Sequence, residues 1–447
     1  MMESEEQVSW QNLLDWLKSH GMDTETVLVE RRKVPGTAYH GLFARRKCEP
    51  KTVLFTVPKL LNTKTLSPHY PSAAKKLSAV QLISLHLLLH QPAPAEGSPD
   101  PLFGPYISVL PRNFDYHPLS KLVKEDNSPL LPPSTSKAVQ EISIRFHNDL
   151  ATICSFVHNH LEILHTTSTS KTPSDFASGL ENESLVSDYL WSWLNVNTRC
   201  IYYEVKTSPA DLDNITLCPI LDFANHTPHL PYMSPSRPPS NKRINMGRDF
   251  TLVSPATTSV DADSELFLKY GDHCNRVLYV EYGFVLPLDC DPGSKRVYEV
   301  NVDDIVEGLF MEKGEVGMWM KEVLVLENYW GDWTMHFASG SAFSSYRLTT
   351  AIRLFSIFPA GSIPLLSEEM LLPWKDVVLG RRDELSTECE AESCGVLERI
   401  CTTVVNRASQ ALANPVLADH DSIRTLWAEE QYVAHRILEQ MKKGKVF

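Results

Sequence analysis

No two of the nine cysteines are spaced C-x-x-C, and their number is odd. That argues for a reduced intracellular compartment, cytoplasmic or nuclear, rather than a disulfide framework. Cys389, Cys394 and Cys401 form the tightest group, but their spacing does not suit a four-ligand zinc site and no histidine lies near them. The HExxH arrangement is missing too. His147, His158, His160 and His165 punctuate one helical stretch in which only His158 has a carboxylate four residues on, Glu162, and no two of the histidines stand four apart, so no metal site is expected. No stretch approaches the length of a membrane span, and the opening MMESEEQVSW has neither the basic start nor the apolar run of a leader. Both predict a soluble protein with no membrane partner. Positive charge is in deficit: 42 Lys and Arg against 55 Asp and Glu leave a net charge of −13. This argues against a nucleic-acid partner and for attraction of basic proteins.

What is present is a chain of 447 residues, enough for two or three domains with proper cores. Trp10, Leu13, Leu14 and Leu17 fall at helical spacing, and Lys18, His20 and Gly21 end the element. From Val27 the pattern becomes strands: VLVERRKV, GLFARRK and VLFTVP, separated by PGTAYHG and CEPK. A helix is predicted over Ala73 to His90, then a Pro, Ala, Gly and Ser linker from Gln91 to Pro101. Val139, Ile142, Phe146, Leu150, Ile153, Val157 and Leu164 mark a long amphipathic helix. The Ser/Thr-rich run Thr166 to Ser184 reads as a mobile loop, and a helix through Leu185, Tyr189, Leu190 and Trp193 follows it. Thr227 to Lys242 is a Pro-rich surface excursion before strands INMG and FTLVSP. After Phe284 helical patterns dominate, in SYRLTTAIRLFSIF, around Val396, Ile400 and Val404, and around Leu426, Val433, Ile437 and Met441.

The stretch that carries chemistry runs from Leu217 to Phe284. Leu217 to Leu221 is short, apolar and bounded by turn formers, which predicts a buried strand. It ends in DFANH, where Asp222, Asn225 and His226 offer groups that bond a ligand or the local backbone; alone they also fit a capped turn. Glu265 to Tyr270 alternates as a strand, and Gly271-Asp272 breaks it, leaving Tyr270 at a strand end. Tyr282 follows inside EYGF.

DFANH, a tyrosine before glycine, Asn275 five residues later and the Tyr282-Gly283-Phe284 close resemble, in this order and spacing, the SET domain of protein-lysine methyltransferases. Without a cysteine-rich cap after YGF, the chain is most similar to the Rubisco large-subunit methyltransferase class. The resemblance implies an α+β protein. An N-terminal helix over 1–23 precedes a β-rich SET fold over 24–287, with short strands, a pseudoknot at DFANH and an α-helical insert at about 73–195. An all-α substrate-binding domain over 288–447 completes it. FGPYISVLPRNFDYHP resembles the segment that opens the insert, and SYRLTTAIRLFSIF a helix of the last domain.

The same resemblance implies S-adenosylmethionine as cofactor. Asp222, Phe223, Ala224, Asn225, His226 and Tyr282 would line its pocket, and Arg199 would reach its carboxylate with a planar fork; a helix-end arginine neutralising the macrodipole fits Arg199 as well. Ala38, Tyr39 and His40 would lie against its methionine end in the place of a Gly-x-Gly loop, of which only the second glycine, Gly41, is present; Tyr39 stands where the first would be. Tyr270 would be the catalytic residue, closing the channel where the target amine meets the methyl group. The expected activity is lysine N-methylation of a histone or of a non-histone protein such as a ribosomal one, by a monomer. Two rivals remain: a catalytically weak SET protein that binds a partner, and a histidine methyltransferase.

Overall fold

The computed structural model describes residues 2–37, 39–93, 96–124, 130–167, 169–236, 249–289, 296–358 and 368–444. The chain divides into two compact units, one of residues 1–115 and 142–271, the other of residues 116–141 and 272–447. The cut thus falls at 271/272, ahead of the boundary expected at 287, and gives part of the expected insert to the second unit.

The first unit begins with the helix Met2–Ser19, whose Leu13 and Leu17 are fully buried. Strands β1 (Val29–Lys33), β2 (His40–Ala44) and β3 (Val53–Val57) follow as the alternation predicts. Short pairs complete the β layer: β4 (Ile201–Tyr202) with β5 (Ile215–Thr216), and β6 (Ser234–Pro235) with β7 (Phe250–Val253). β8 (Glu265–Leu266) pairs antiparallel with β2, Leu42 opposite Leu266 and Phe43 opposite Glu265. The sheets are therefore β1-β2-β8, β3-β7-β6 and β4-β5.

The helix predicted from Ala73 starts at Ala79, because Ser78 forms a capping box with Gln81; Ala73–Lys75 is a separate 3-10 turn. This helix, Ala79–Leu89, packs on Glu183–Arg199, which Asn182 caps. The long helix spans Pro133–His158 and a short one covers Glu162–Thr166. Thr166 to Ser184 is not simply a loop. It contains the helix Pro173–Ser178, with Phe176 buried beneath it.

Leu217 to Leu221 is buried, but it is not the expected strand. Only Leu217 pairs, with Leu61, and at Ile220 the chain turns with φ 70° and ψ −53°. That is the strained γ-turn region, costly for a β-branched residue and of the kind that persists where surrounding structure over-determines it. FTLVSP does form a strand, whereas INMG and much of the Pro-rich excursion lie outside the described residues.

The second unit is helical but not all-α. β9 (Tyr298–Asn301), β10 (Thr334–Ala338) and β11 (Ser341–Ser344) form an antiparallel sheet in the order β11-β10-β9. Ser339 and Gly340 both have positive φ, as a two-residue hairpin turn requires. Helices Tyr346–Ile357, Thr387–Leu412 and Asp421–Lys442 share with this sheet one core that includes Trp333, Trp374, Leu348, Leu397 and Ile400. No helix among the described residues is long and apolar enough to cross a membrane.

Candidate active site

The site in the first unit is assembled by one pairing. His226 forms a parallel bridge with Leu268: Leu268 N–H donates to Asn225 O (2.8 Å) and Thr227 N–H to Leu268 O (2.8 Å). DFANH therefore runs beside the segment that ends in Tyr270, although β8 itself stops at Leu266. The Tyr270 hydroxyl donates to the Ala224 carbonyl at 2.8 Å, and its backbone N–H donates to His226 Nδ1 at 3.1 Å. Because that nitrogen accepts, a neutral His226 carries its proton on Nε2. The two rings lie 5.1 Å apart.

On one side of this pair is an amide and carboxyl cluster. Asn225 Nδ2 donates to Glu265 Oε1 (2.7 Å) and to the His40 carbonyl (3.2 Å). Burial raises the Glu265 carboxyl above its ordinary pKa, and the Asn225 hydrogen bond opposes that shift. Gly41 leaves the room for this cluster: a Cβ would meet Glu265 Oε1 at 2.4 Å and Asn225 Nδ2 at 3.1 Å, so the Glu265 side chain would have to move.

On the other side Arg199, the last residue of its helix, donates from Nη1 to the Asp222 carbonyl at 2.6 Å and lies 3.5 Å from Asp222 Oδ2. Tyr106 donates its hydroxyl to the same carboxylate oxygen at 3.2 Å. Burial pushes the Asp222 pKa up, opposed by Arg199 and Tyr106, and burial pushes the Tyr106 phenol well up. Arg199 Nε and Asp222 Oδ1 are both buried and have no hydrogen-bond partner. An uncompensated donor and acceptor side by side in a buried pair are costly, and a ligand bearing both signs of charge would satisfy them.

The predicted residues do not all converge. Arg199, Asp222, Ala224, Asn225, His226, Tyr270 and the His40 carbonyl come together as described. Phe223 turns away, its ring 5.7 Å from Trp10 and 4.9 Å below the Arg31 guanidinium, so its contacts are those of a packing residue. Tyr39 is 58 % exposed, and Ala38 lies outside the described residues. Tyr282 belongs to the second unit. It ends a single π-helical turn, Leu278–Tyr282, closed by Gly283 in the left-handed conformation at φ 81°, which explains a glycine after that tyrosine. Burial raises the Tyr282 phenol. Glu265 and Tyr106 were not singled out from sequence. The first read as an ordinary strand residue and the second as part of a helix-opening segment; only the fold brings them to Asn225 and Asp222.

No protein-family model matches the chain. Among curated proteins it is 25% identical over 349 residues to ribosomal lysine N-methyltransferase set11 of Schizosaccharomyces pombe, covering 78% of this chain and 75% of that protein. It is 26% identical over 413 residues to SET domain-containing protein 4 of Mus musculus, covering 90% of this chain and 82% of the relative. Ribosomal lysine N-methyltransferase 2 of Saccharomyces cerevisiae is 31% identical over 232 residues, 50% of this chain and 45% of that protein. Among solved structures, the SET domain of LSMT bound to lysine and AdoHcy superposes with a TM-score of 0.58 at 14% identity, over 98% of this chain and 92% of that one. Rubisco LSMT bound to AdoMet gives 0.56 at 15%, again over 98% and 92%. The fold is that of these structures, and the chain is similar in sequence to curated SET-domain and ribosomal lysine N-methyltransferase proteins.

Proposed function

We propose that this protein is an S-adenosylmethionine-dependent protein-lysine N-methyltransferase. The observation that carries the reading is the convergence of Tyr270 on DFANH, with its hydroxyl committed to the Ala224 carbonyl. A lysine is poor at attack because its lone pair carries a proton, and baring the amine costs roughly 4–5 kcal/mol at pH 7. A narrow, desolvated channel lowers that pKa. Tyr270, having donated its hydrogen to Ala224, offers oxygen lone pairs that orient an incoming N–H, so nitrogen and methyl meet in line. S-adenosylmethionine, when bound, would supply the sulfonium methyl that the nitrogen lone pair attacks, the C–S bond breaking to leave the neutral thioether of S-adenosylhomocysteine.

The residues present suit that cofactor. Arg199 Nε is a buried donor matched to a carboxylate, and Asp222 Oδ1 a buried acceptor matched to an ammonium, the two ends of a methionine group. Gly41 leaves the space beside Asn225 that a side chain would fill. Asn225 and His226 hold the DFANH backbone in register with Tyr270. The role of Tyr282 rests on the resemblance alone, as does that of Tyr39.

The substrate proposed is a basic protein, ribosomal by likeness to the fungal relatives, drawn by the net charge of −13. An intracellular location is supported by the eight described cysteines, all free thiols. The test is transfer of labelled methyl groups from S-adenosylmethionine to ribosomal and total cell proteins, with mass spectrometry of the labelled residue. Label on lysine, absent with Tyr270→Phe, is the expected outcome. Label on histidine would move the acceptor, and no transfer despite calorimetric binding of a partner protein would favour the binding module.

A further inference from the structure

We propose that the first unit contains a buried site for a divalent transition metal, taken as zinc, formed by His86, His90 and Asp100. His86 and His90 are one turn apart on the helix Ala79–Leu89 and its C-cap, and Asp100 returns to them from the run that reads in sequence as a linker. The three residues are 0%, 4% and 5% exposed, and one ligand atom from each lies within 4.8 Å of the others. His86 Nε2 is 3.0 Å from Asp100 Oδ2, and His90 Nε2 is 3.7 Å from Asp100 Oδ1, so two imidazoles bracket one carboxylate.

The hydrogen-bond pattern around the cluster points to a cation. His90 Nδ1 lies 2.9 Å from the His86 carbonyl, which can only accept, so the His90 ring hydrogen is on Nδ1. In neutral His90 the Nε2 lone pair then faces a carboxylate oxygen, acceptor against acceptor. Asp100 cannot relieve this by turning, because its two oxygens already accept from the backbone N–H groups of Leu102 (3.2 Å) and Phe103 (2.8 Å). A metal ion resolves the opposition. Ligating histidines commonly donate the other ring N–H to a carbonyl or similar oxygen, as His90 does here. His86 Nδ1 has the Tyr70 hydroxyl at 2.9 Å, which accepts the ring hydrogen once Nε2 ligates.

Donor chemistry selects the ion. Two imidazole nitrogens and a carboxylate suit zinc rather than calcium or magnesium, which prefer oxygen. Tetrahedral zinc sets its ligand atoms roughly 3.3 Å apart, so the widest pair needs to close by about 1.5 Å at most. Asp100 Oδ1 and Oδ2, each facing a different imidazole, can supply two of four positions. The consequence is local stiffening. Asp100 holds the start of the short helix Gly104–Val109, and Tyr106 on that helix donates to Asp222, the partner of Arg199. The ion would fix the platform beneath that pair, and the proposal does not depend on the methyl-transfer reading.

The test uses the full, untagged chain purified without chelator. Elemental analysis should find about one zinc per chain, and less than a tenth of that in His90→Gln. Replacing zinc by cobalt(II) in the wild-type protein should give the visible absorption of a low-coordinate nitrogen and oxygen site. Tyr70→Phe, which keeps all three ligands, should weaken zinc binding about 10- to 100-fold. Wild-type protein that holds no transition metal and develops no such band with cobalt(II) would overturn the proposal, whatever the variants do. So would full zinc retention by a folded His90→Gln.

Discussion

Two buried arginine–carboxylate pairs, one in each unit, have the same ingredients and different surroundings. Arg296 in the second unit lies 3.5 Å from Glu429, and its guanidinium also bonds the carbonyls of Pro287 and Leu286 and covers the Tyr298 ring at 4.7 Å. Glu429 Oε1 accepts from the Asn275 backbone N–H at 3.2 Å. That pair ties chain segments together. Arg199 and Asp222 sit at the same 3.5 Å separation, and in both pairs the arginine Nε is buried without a hydrogen-bond partner; the difference lies in the carboxylates, since both Glu429 oxygens are engaged whereas Asp222 Oδ1 has no partner. A buried carboxylate with both oxygens engaged marks a brace, and one with a bare oxygen marks a place for a ligand.

The comparison breaks most visibly at the brace. Arg296→Ala strands Glu429 in the interior and should cost about 3–5 kcal/mol of stability, read by denaturant melts of the full chain. Cofactor affinity measured below the melting range should hardly move. The loss should shrink at acid pH. Burial raises the Glu429 pKa from the usual carboxylate value to about 7 even beside Arg296, so the folded state holds a proton that the unfolded state releases. Stability from this group therefore falls as pH rises from about 4.5 to about 7, the reverse of a salt-bridged carboxylate with a depressed pKa. Glu429→Gln should flatten that slope. An equal loss of cofactor binding and stability in Arg296→Ala would erase the distinction between the pairs.

Next in size is Tyr270→Phe, which keeps the ring over His226 and deletes the hydroxyl. If that hydroxyl orients the amine during transfer, kcat should fall about a hundredfold while the Kd for S-adenosylmethionine changes little. A matched loss in both would make Tyr270 a pocket wall. Arg199→Lys then tests the ligand side of the comparison. Lysine keeps the charge opposite Asp222 and loses the planar fork, so affinity for S-adenosylmethionine should weaken at least tenfold, with melting lowered far less than in Arg296→Ala. Unchanged affinity would reduce Arg199 to a helix cap.

Much of this was legible in the sequence where the signal was local. The apolar periodicity through Leu185 and through SYRLTTAIRLFSIF falls on helices, the helix expected from Ala73 starts only at Ala79 after its Ser78 cap, and DFANH with the Tyr-Gly pairs carried the resemblance to the fold. The hairpin in the second unit had a signal as well: the Ser339-Gly340 pair between TMHFA and SAFS, short strands surrounded by stronger helical periodicity. What stayed hidden depends on long-range closure. Asp222 is held by Arg199 and Tyr106, both distant from it in the chain, through one of its oxygens. Asp100 is buried inside a Pro- and Ser-rich run, and Leu217 to Leu221 is apolar enough for a strand yet bends at Ile220. Periodicity reports which face is buried, but not which polar groups meet there.

The finest test concerns the Asn225 cluster, where a glycine rather than a charge makes the room. In Gly41→Ala the new Cβ would fall 2.4 Å from Glu265 Oε1, the far end of a flexible side chain that can rotate away. The backbone need not shift, so melting should change by no more than about 0.5 kcal/mol. Asn225 would keep the His40 carbonyl but lose its 2.7 Å acceptor. One hydrogen bond of about 0.5–1.5 kcal/mol corresponds to a two- to twelvefold weaker Kd for S-adenosylmethionine. Glu265→Gln separates contact from charge, since its amide oxygen can still accept from Asn225. Near-normal affinity in Glu265→Gln with a several-fold loss in Gly41→Ala and Glu265→Ala would assign Glu265 the task of aiming Asn225. An equal loss in Glu265→Gln would mean that the carboxylate charge itself acts on the cofactor's ammonium, and the aiming role would be withdrawn.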